Sequence, residues 1–437
     1  MKIKDNINPW WWIPTLYFAE GIPYFIVNNI SVIMFTNMGM SKGDMAMYTS
    51  LLYLPWVIKP LWSPFVDIIR TKRWWIMAMQ VLMSVAFAIL AFTLPHPSHE
   101  VIASGAAPVS LFAVTLVIFW ITAFASATHD IAADGFYMLA LNPGDQSLFV
   151  GIRSTFYRLS SIFGQGVLVV IAGLLERKTG DIPLAWSMTL LVSAVIFSAV
   201  TIWHTFFIPR PAVDASRLSG SGKAAEIFRE FGRTFITFFG KKHVWIAMAF
   251  MLLYRLPEAF LVKMMNPFLL DSVSTGGLGL STETVGVVYG TVGVAALTVG
   301  GILGGLAASK WGLKKVLWPM ALSLTLPCLS FVFLAAYQPE NLILISSCVA
   351  LDQFGYGFGF TAYMLYLIYF SEGEFKTAHY SLCTAFMALS MMLPGMVAGY
   401  LQEAVGYVWF FSFVMICCLV TVLVTFLLKV DPKYGKK

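Results

Sequence analysis

The chain has 437 residues, 59% of them hydrophobic and only 11% charged, with a net charge of +6. A soluble domain carries about 25% charged residues, so the composition argues against a water-soluble enzyme or a nucleic-acid-binding surface and for a protein of the lipid bilayer. The cysteines Cys328, Cys348, Cys383, Cys417 and Cys418 lack metal-ligand spacing and read as apolar packing groups.

Twelve long apolar stretches run at 10–36, 43–66, 73–95, 109–140, 147–175, 184–208, 243–270, 282–308, 313–336, 340–370, 376–402 and 407–428. Each is long enough for the ~20 residues that cross a bilayer core as a helix. No cleaved leader is expected, because Lys2 and Lys4 precede a first stretch too long for a signal-peptide core. Of the 28 basic residues, 20 fall on the termini and the loops that share their side, 3 on the other side (Lys42, Arg177, Lys178) and 5 inside the stretches. That bias predicts cytoplasmic termini.

Charged and polar side chains inside the spans mark candidate function, since each is costly in lipid. Span 1 carries Tyr17, Glu20, Tyr24, Asn28 and Ser31 on one helical face. Lys59 lies in span 2, and Asp130 and Asp134 lie one turn apart in span 4 beside His129. Span 5 carries Arg153 and Arg158, the latter on a face with Ser154, Ser161 and Gln165. Asp130 and Asp134 either pair statically with Arg153 and Arg158 or exchange protons, and Arg158 is expected to meet those acids, an anionic solute, or each in turn. Span 7 carries Arg255, Glu258 and Lys263, with Glu258 three residues from Arg255. Span 10 carries Asp352, Tyr356, Gly359 and Tyr363 on one face, with Gln353 alongside.

Glu20, Asp130, Asp134, Glu258 and Asp352 are the proton-coupling candidates. Glu20 and Asp352 lead them because neither has an intrahelical base. Tyr24, Asn28, Arg158, Gln165, Arg255, Gln353, Tyr356 and Tyr363 are the substrate-binding candidates: tyrosine rings pack on sugar C–H faces, and amides bond hydroxyl or acetamido groups. No His-Glu-x-x-His, Cys-x-x-Cys or phosphate loop is present, so neither a metal nor a cofactor is expected.

The hydrophilic segment 209–242 divides six spans from six, giving an N-terminal unit 1–208 and a C-terminal unit 243–437. Within it Ile227, Phe228, Phe231, Phe235, Phe238 and Phe239 recur at helical spacing, with Arg229 and Arg233 between, predicting an amphipathic helix on the inner leaflet. The halves echo each other. Ala172-Gly173-Leu174-Leu175-Glu176 with Gly180 resembles Ala398-Gly399-Tyr400-Leu401 with Glu403 and Gly406. Asp67-Ile68-Ile69-Arg70-Thr71-Lys72-Arg73 after span 2 is matched by Ser309-Lys310-Trp311-Gly312-Leu313-Lys314-Lys315 after span 8. Six plus six spans of equal orientation form parallel repeats, as in major facilitator transporters. Gly305, Lys310, Gly312, Lys314 and Lys315 resemble the loop motif of that superfamily, with Ser309 in place of its acid. Asp67, Arg70, Lys310 and Lys314 are accordingly expected to gate the inner ends of the bundles.

More specific runs resemble the AmpG muropeptide permeases and, more distantly, the acetyl-coenzyme A transporters. Span 2 ends Leu54-Pro55-Trp56-Val57-Ile58-Lys59-Pro60-Leu61-Trp62-Ser63-Pro64-Phe65-Val66-Asp67, and span 4 carries Ser126-Ala127-Thr128-His129-Asp130-Ile131 with Asp134. Tyr157-Arg158-Leu159, Pro267-Phe268-Leu269-Leu270 and Phe375-Lys376-Thr377-Ala378-His379-Tyr380-Ser381-Leu382 are similar to family runs too. His129 departs from the family's Gln, Phe136 and Tyr137 stand where a base often follows the second Asp, and Asp352 is shorter than the family's acid in span 10. The resemblance implies an all-α membrane protein of the major facilitator fold, with twelve helices in two pseudosymmetric six-helix bundles. It implies import of a saccharide-containing small molecule, a muropeptide or oligosaccharide, by proton symport. A neutral-disaccharide carrier and a membrane sensor or enzyme without turnover are the rival readings.

Overall fold

A backbone in hydrocarbon has no water to bond, so each apolar stretch must satisfy its own N–H and C=O groups as a helix. The computed structural model describes residues 7–141, 143–211, 214, 223–373, 376–432 and 434. Ten helical stretches among them are long and apolar enough to cross a membrane. One, Ala378–Leu427, contains two spans divided at Gly406, whose φ of 74° turns the chain. A further span is assembled from Lys42–Leu51 and Leu54–Ile69. Ten plus two gives twelve spans, at the places the hydropathy predicts.

Two spans are broken by the same dipeptide. Leu54-Pro55 opens the second piece of span 2, and Leu256-Pro257 opens Leu256–Leu270, the second piece of span 7. Proline suits a first helical turn, where its missing N–H would have no partner, but it cannot extend the ladder of the helix before it. Lys42–Leu51 and Val244–Leu253 therefore stop short, and Tyr53 and Arg255 stand at the breaks. Spans 1, 5 and 8 contain wide π-turns at Ile26–Ile30, Ile162–Leu168 and Gly286–Gly293, the first just after Pro23.

Each bundle holds two apolar cores with a polar layer between them. In span 1, Tyr17 belongs to the core nearer the termini and Ile22 to the other, with Glu20 between; in span 4, Ala132 and Ala127 flank His129 and Asp130 in the same order. In the C-terminal bundle Tyr254 and Phe260 belong to different cores, and Arg255 and Glu258 lie between them.

The bundles meet most closely on the face opposite the termini. Lys42 pairs with Asp271 at 2.8 Å, and Arg177 with Glu283 at 2.7 Å. Asn37 donates to Thr282, whose hydroxyl donates to Glu176 at 3.0 Å. Tyr400 donates to Asp44, and the Gly43 N–H donates to Glu403. Backbones touch here: a Cβ on Gly399 would fall 1.8 Å from the Lys42 carbonyl oxygen, and one on Gly290 would fall 1.9 Å from that of Gln165.

The linker forms a helix, Lys223–Phe239. Its end does not lie free on a leaflet. Phe238 is fully buried against Phe370, His379 and Phe386, and Lys241 donates to the carbonyls of Phe370 and Glu372, because a helix ending at span 7 must pack beside spans 10 and 11. The side chains of Ile227, Phe228 and Phe231 lie outside the described residues. Asp214 caps the N–H groups of Lys72 and Arg73 at 2.7 and 3.0 Å, tying the linker to span 3.

Candidate functional site

The polar layer of the N-terminal bundle gathers Glu20, His129 and Asp130, each offering an atom within 4.8 Å of the others. Asp130 accepts from the Trp56 indole at 2.9 Å, and one Glu20 carboxylate oxygen is buried without a hydrogen-bond partner. Lys59 acts electrostatically on both carboxylates. Behind them a chain of side chains crosses the bundle. His129 Nε2 lies 3.0 Å from Gln80 Nε2, Gln80 Oε1 lies 2.9 Å from His204 Nδ1, and His204 Nε2 lies 2.9 Å from Thr15 Oγ1. One amide between two imidazoles fixes their tautomers together.

Asp134 takes Arg153 at 2.9 Å and the Tyr17 hydroxyl at 3.2 Å, and the Arg153 guanidinium lies over the rings of Tyr17 and Tyr137 at 4.5 and 5.1 Å. Arg158 does not join the acids. Five residues on, its guanidinium turns to the other bundle and donates to the Thr298 carbonyl of span 8 at 3.2 Å, beside Gly301. The expected Arg158 pairing with Asp130 and Asp134 is thus corrected: only one of the two arginines can face span 4, and the other follows the span 5–span 8 contact.

In the C-terminal bundle Arg255 grips Glu258 through two bonds, at 2.9 and 3.0 Å, and donates to the Tyr356 hydroxyl at 2.9 Å. The Phe360 ring lies 4.7 Å from the guanidinium. Tyr24 of span 1 and Tyr53 of span 2 reach the same place from the other bundle, where Arg255 acts on both hydroxyls. Tyr24 packs edge-on against Trp56 at 5.2 Å and near Tyr157 at 6.5 Å. The result is an aromatic pocket wall between the bundles with one paired ion at its centre.

Other expected residues fall elsewhere. Asp352 points into its own bundle: it accepts from Gln353 at 3.0 Å and meets Cys328 of span 9 at 4.0 Å. Tyr363 is fully buried and donates to the Met251 carbonyl at 2.7 Å, so it holds span 10 to span 7. Both corrections have one cause: the face they share with Tyr356 is covered by neighbouring spans at their levels. Asn28 donates to the Tyr24 carbonyl, while Gln165 accepts from Asn29 at 2.9 Å and donates to Ser161, joining spans 1 and 5. Arg70 lies over Trp74, Lys310 lies over Trp311, and Lys314 is exposed; the Asp67 side chain lies outside the described residues. Tyr53, Trp56 and Tyr157 lie beyond the sequence candidates for the site; Trp56 and Tyr157 stand in the family-like runs, and Tyr53 is marked only by the Leu-Pro step after it.

The chain is 24% identical over 404 residues to the anhydromuropeptide permease of Escherichia coli (strain K12), covering 91% of this chain and 75% of that one. It is 24% identical over 378 residues to the putative transporter AmpG 3 of Rickettsia typhi, covering 83% and 82%. Its fold is similar to the crystal structure of a D-xylose-proton symporter, with a TM-score of 0.70 at 13% identity, covering 97% of this chain and 98% of that one. The family model described as Major Facilitator Superfamily matches residues 15–374, from span 1 through span 10. The multi-pass helical fold, its two bundles and this match agree, and the chain belongs to the major facilitator superfamily.

Proposed function

We propose that the chain is a secondary active transporter that imports a saccharide-containing solute, an anhydromuropeptide or a related amino-sugar compound, by proton symport across a bacterial inner membrane. One observation carries the reading. Two broken spans bring Tyr53 and Arg255 between the bundles, where Tyr24, Trp56 and Tyr356 stand beside them. Discontinuous helices near mid-depth are where major facilitator and related carriers bind their solutes. Ring faces suit sugar C–H surfaces, and the Arg255–Glu258 pair offers both donors and acceptors to hydroxyls. The similarity to the anhydromuropeptide permease supports the choice of solute.

Glu20 and Asp130 serve as the proton-carrying pair. Two carboxylates with oxygens within 4.8 Å of each other repel when both are charged, which favours one proton on the pair until conformation or Lys59 shifts the balance. The bundles, 1–208 and 243–437, rock about the aromatic site with the termini in the cytoplasm, as the basic-residue bias favours. In that orientation the present state is shut toward the periplasm. Asp67 and Arg70 with Lys310 and Lys314 would hold the cytoplasmic ends in the opposite state.

The test is uptake into proteoliposomes. Labelled anhydro-N-acetylmuramyl peptide should accumulate under an imposed inward proton gradient and should counterflow without one. Uptake that ignores collapse of the proton gradient removes the coupling; failure of counterflow with every amino sugar removes the solute class.

A further inference from the structure

Span 7 buries two cations with different fates. Arg255 is 5% exposed and its charge is cancelled by the two bonds to Glu258. Lys263, two turns further on and 6% exposed, has no such partner. Its ammonium donates to the Thr49 hydroxyl of span 2 at 3.0 Å and faces the Tyr53 ring at 5.7 Å. Among the described residues the ion pairs lie elsewhere, and none includes Lys263. Removing an ammonium from water without a counter-charge is costly, and a hydroxyl does not offset it.

The same region holds acceptors with nothing to accept. Asn28 and Asn266 are 3% and 2% exposed, and the side-chain oxygen of each is buried without a hydrogen-bond partner. Buried polar atoms in folded proteins generally find a partner; of the eleven buried side-chain atoms without one among the described residues, these two carbonyl oxygens share a single cleft with Lys263, and together they point to a polar ligand. Asn28, Tyr53, Lys263 and Asn266 line one cleft between the bundles. The cleft therefore presents two spare N–H groups of the Lys263 ammonium and two unmet carbonyl oxygens, with no carboxylate paired to the lysine among the described residues.

We propose that Lys263 is an anion-recognition group that binds a carboxylate of the transported solute, with Asn28 and Asn266 accepting from hydroxyl or amide N–H groups next to that carboxylate. This assignment rests on the transport reading above and narrows it: the solute is an acidic saccharide or peptide conjugate, not a neutral sugar. Arg255 lies about 12 Å away along the helix, and Tyr53 faces both positions. An elongated solute thus reaches Lys263 with its acidic end while its rings rest against Tyr24, Tyr53 and Tyr356.

The test measures binding to the purified full chain by thermal shift. The probes are N-acetylmuramic acid with its carboxamide, and N-acetylalanine with its amide as a pair without sugar. The wild type should prefer the muramic carboxylate over its amide by about tenfold, the scale of one hydrogen bond to a charged group. Lys263→Gln should bring the ratio near one while still binding the carboxamide, and Lys263→Arg should keep part of the preference. A preference that survives Lys263→Gln overturns the assignment, as does a wild type that binds acid and amide equally or binds neither pair. Preference for N-acetylalanine with no response to either sugar supports the anion subsite and removes the saccharide reading alone. Should Lys263→Gln fail to fold, acylation of Lys263 in the wild type, read by mass spectrometry, replaces it. N-acetylmuramic acid should protect the lysine severalfold more than its carboxamide, and equal protection overturns the proposal.

Discussion

Arg153 closes on Asp134 at 2.9 Å, while Arg158, five residues later on the same span, serves the other bundle. Of the two arginines of span 5, only Arg153 therefore enters the polar layer of the N-terminal bundle. The Asp134 side chain is 46% exposed, so screening limits the pair to about 1 kcal/mol, with about 0.5–1 kcal/mol more from the guanidinium over Tyr17. Arg153→Ala should lower the melting temperature by a few degrees, and adding Asp134→Asn should cost little further. Arg158→Ala and Asp130→Asn should combine additively; a coupling above about 0.5 kcal/mol in that double-mutant cycle contradicts the geometry.

Glu20 and Asp352 separate in role although both are acids of central spans. Glu20 keeps an unpartnered oxygen beside Asp130, whereas Asp352 is held by Gln353 inside its bundle. Glu20→Gln should abolish gradient-driven uptake in proteoliposomes while sparing counterflow. Asp352→Asn should leave coupling intact and register chiefly in thermal stability. Uphill uptake of normal rate in Glu20→Gln would discard the carrier role.

The two ion pairs that bridge the bundles opposite the termini should hold the present state. Asp271→Asn combined with Glu283→Gln removes one partner from each. In a background without the native cysteines, Val32→Cys in the interbundle cleft should then react several times faster with an impermeant maleimide. An unchanged rate would mean that backbone packing alone keeps this face shut.

Backbone packing itself can be tested at Gly290 and Gly399, where the nearest atom is a carbonyl oxygen of the other bundle. Overpacking costs typically 1–3 kcal/mol, which shifts a two-state equilibrium about fivefold or more. Because both contacts lie between bundles, Gly290→Ala and Gly399→Ala should favour the state open opposite the termini and change Val32→Cys labelling more than melting temperature. The reverse ranking would assign these glycines to fold stability.

Much of this architecture is legible from sequence, because a bilayer imposes length and polarity on each span separately. The twelve spans and the ion pair of Arg255 with Glu258 follow from local spacing. Which neighbour a face meets does not. Arg153 and Arg158 both lie within a turn or so of where an acid on span 4 could reach, and only the packing of span 5 on span 8 chooses between them. Asp352 and Tyr363 share a stripe with Tyr356, yet a central helix touches different neighbours at different heights. Tyr53 stayed hidden because it stands in an uninterrupted apolar run, where only the Leu-Pro step that follows it marks a change of direction.

The π-turns in spans 1, 5 and 8 have a consequence for how the chain tolerates changes in length. A π-turn houses one residue more than the α-turn it replaces, while the helix on either side keeps its facing. Removing one residue from Ile162–Leu168 or Gly286–Gly293 would tighten the turn and leave the flanking stripes aligned. The same deletion within Lys72–Thr93, an uninterrupted α-helix, would rotate everything beyond it by about 100° and turn buried groups such as Gln80 toward lipid. Spans 5 and 8 touch at these turns, so the seam between the halves is also where the chain can lose a residue and still point its side chains the right way.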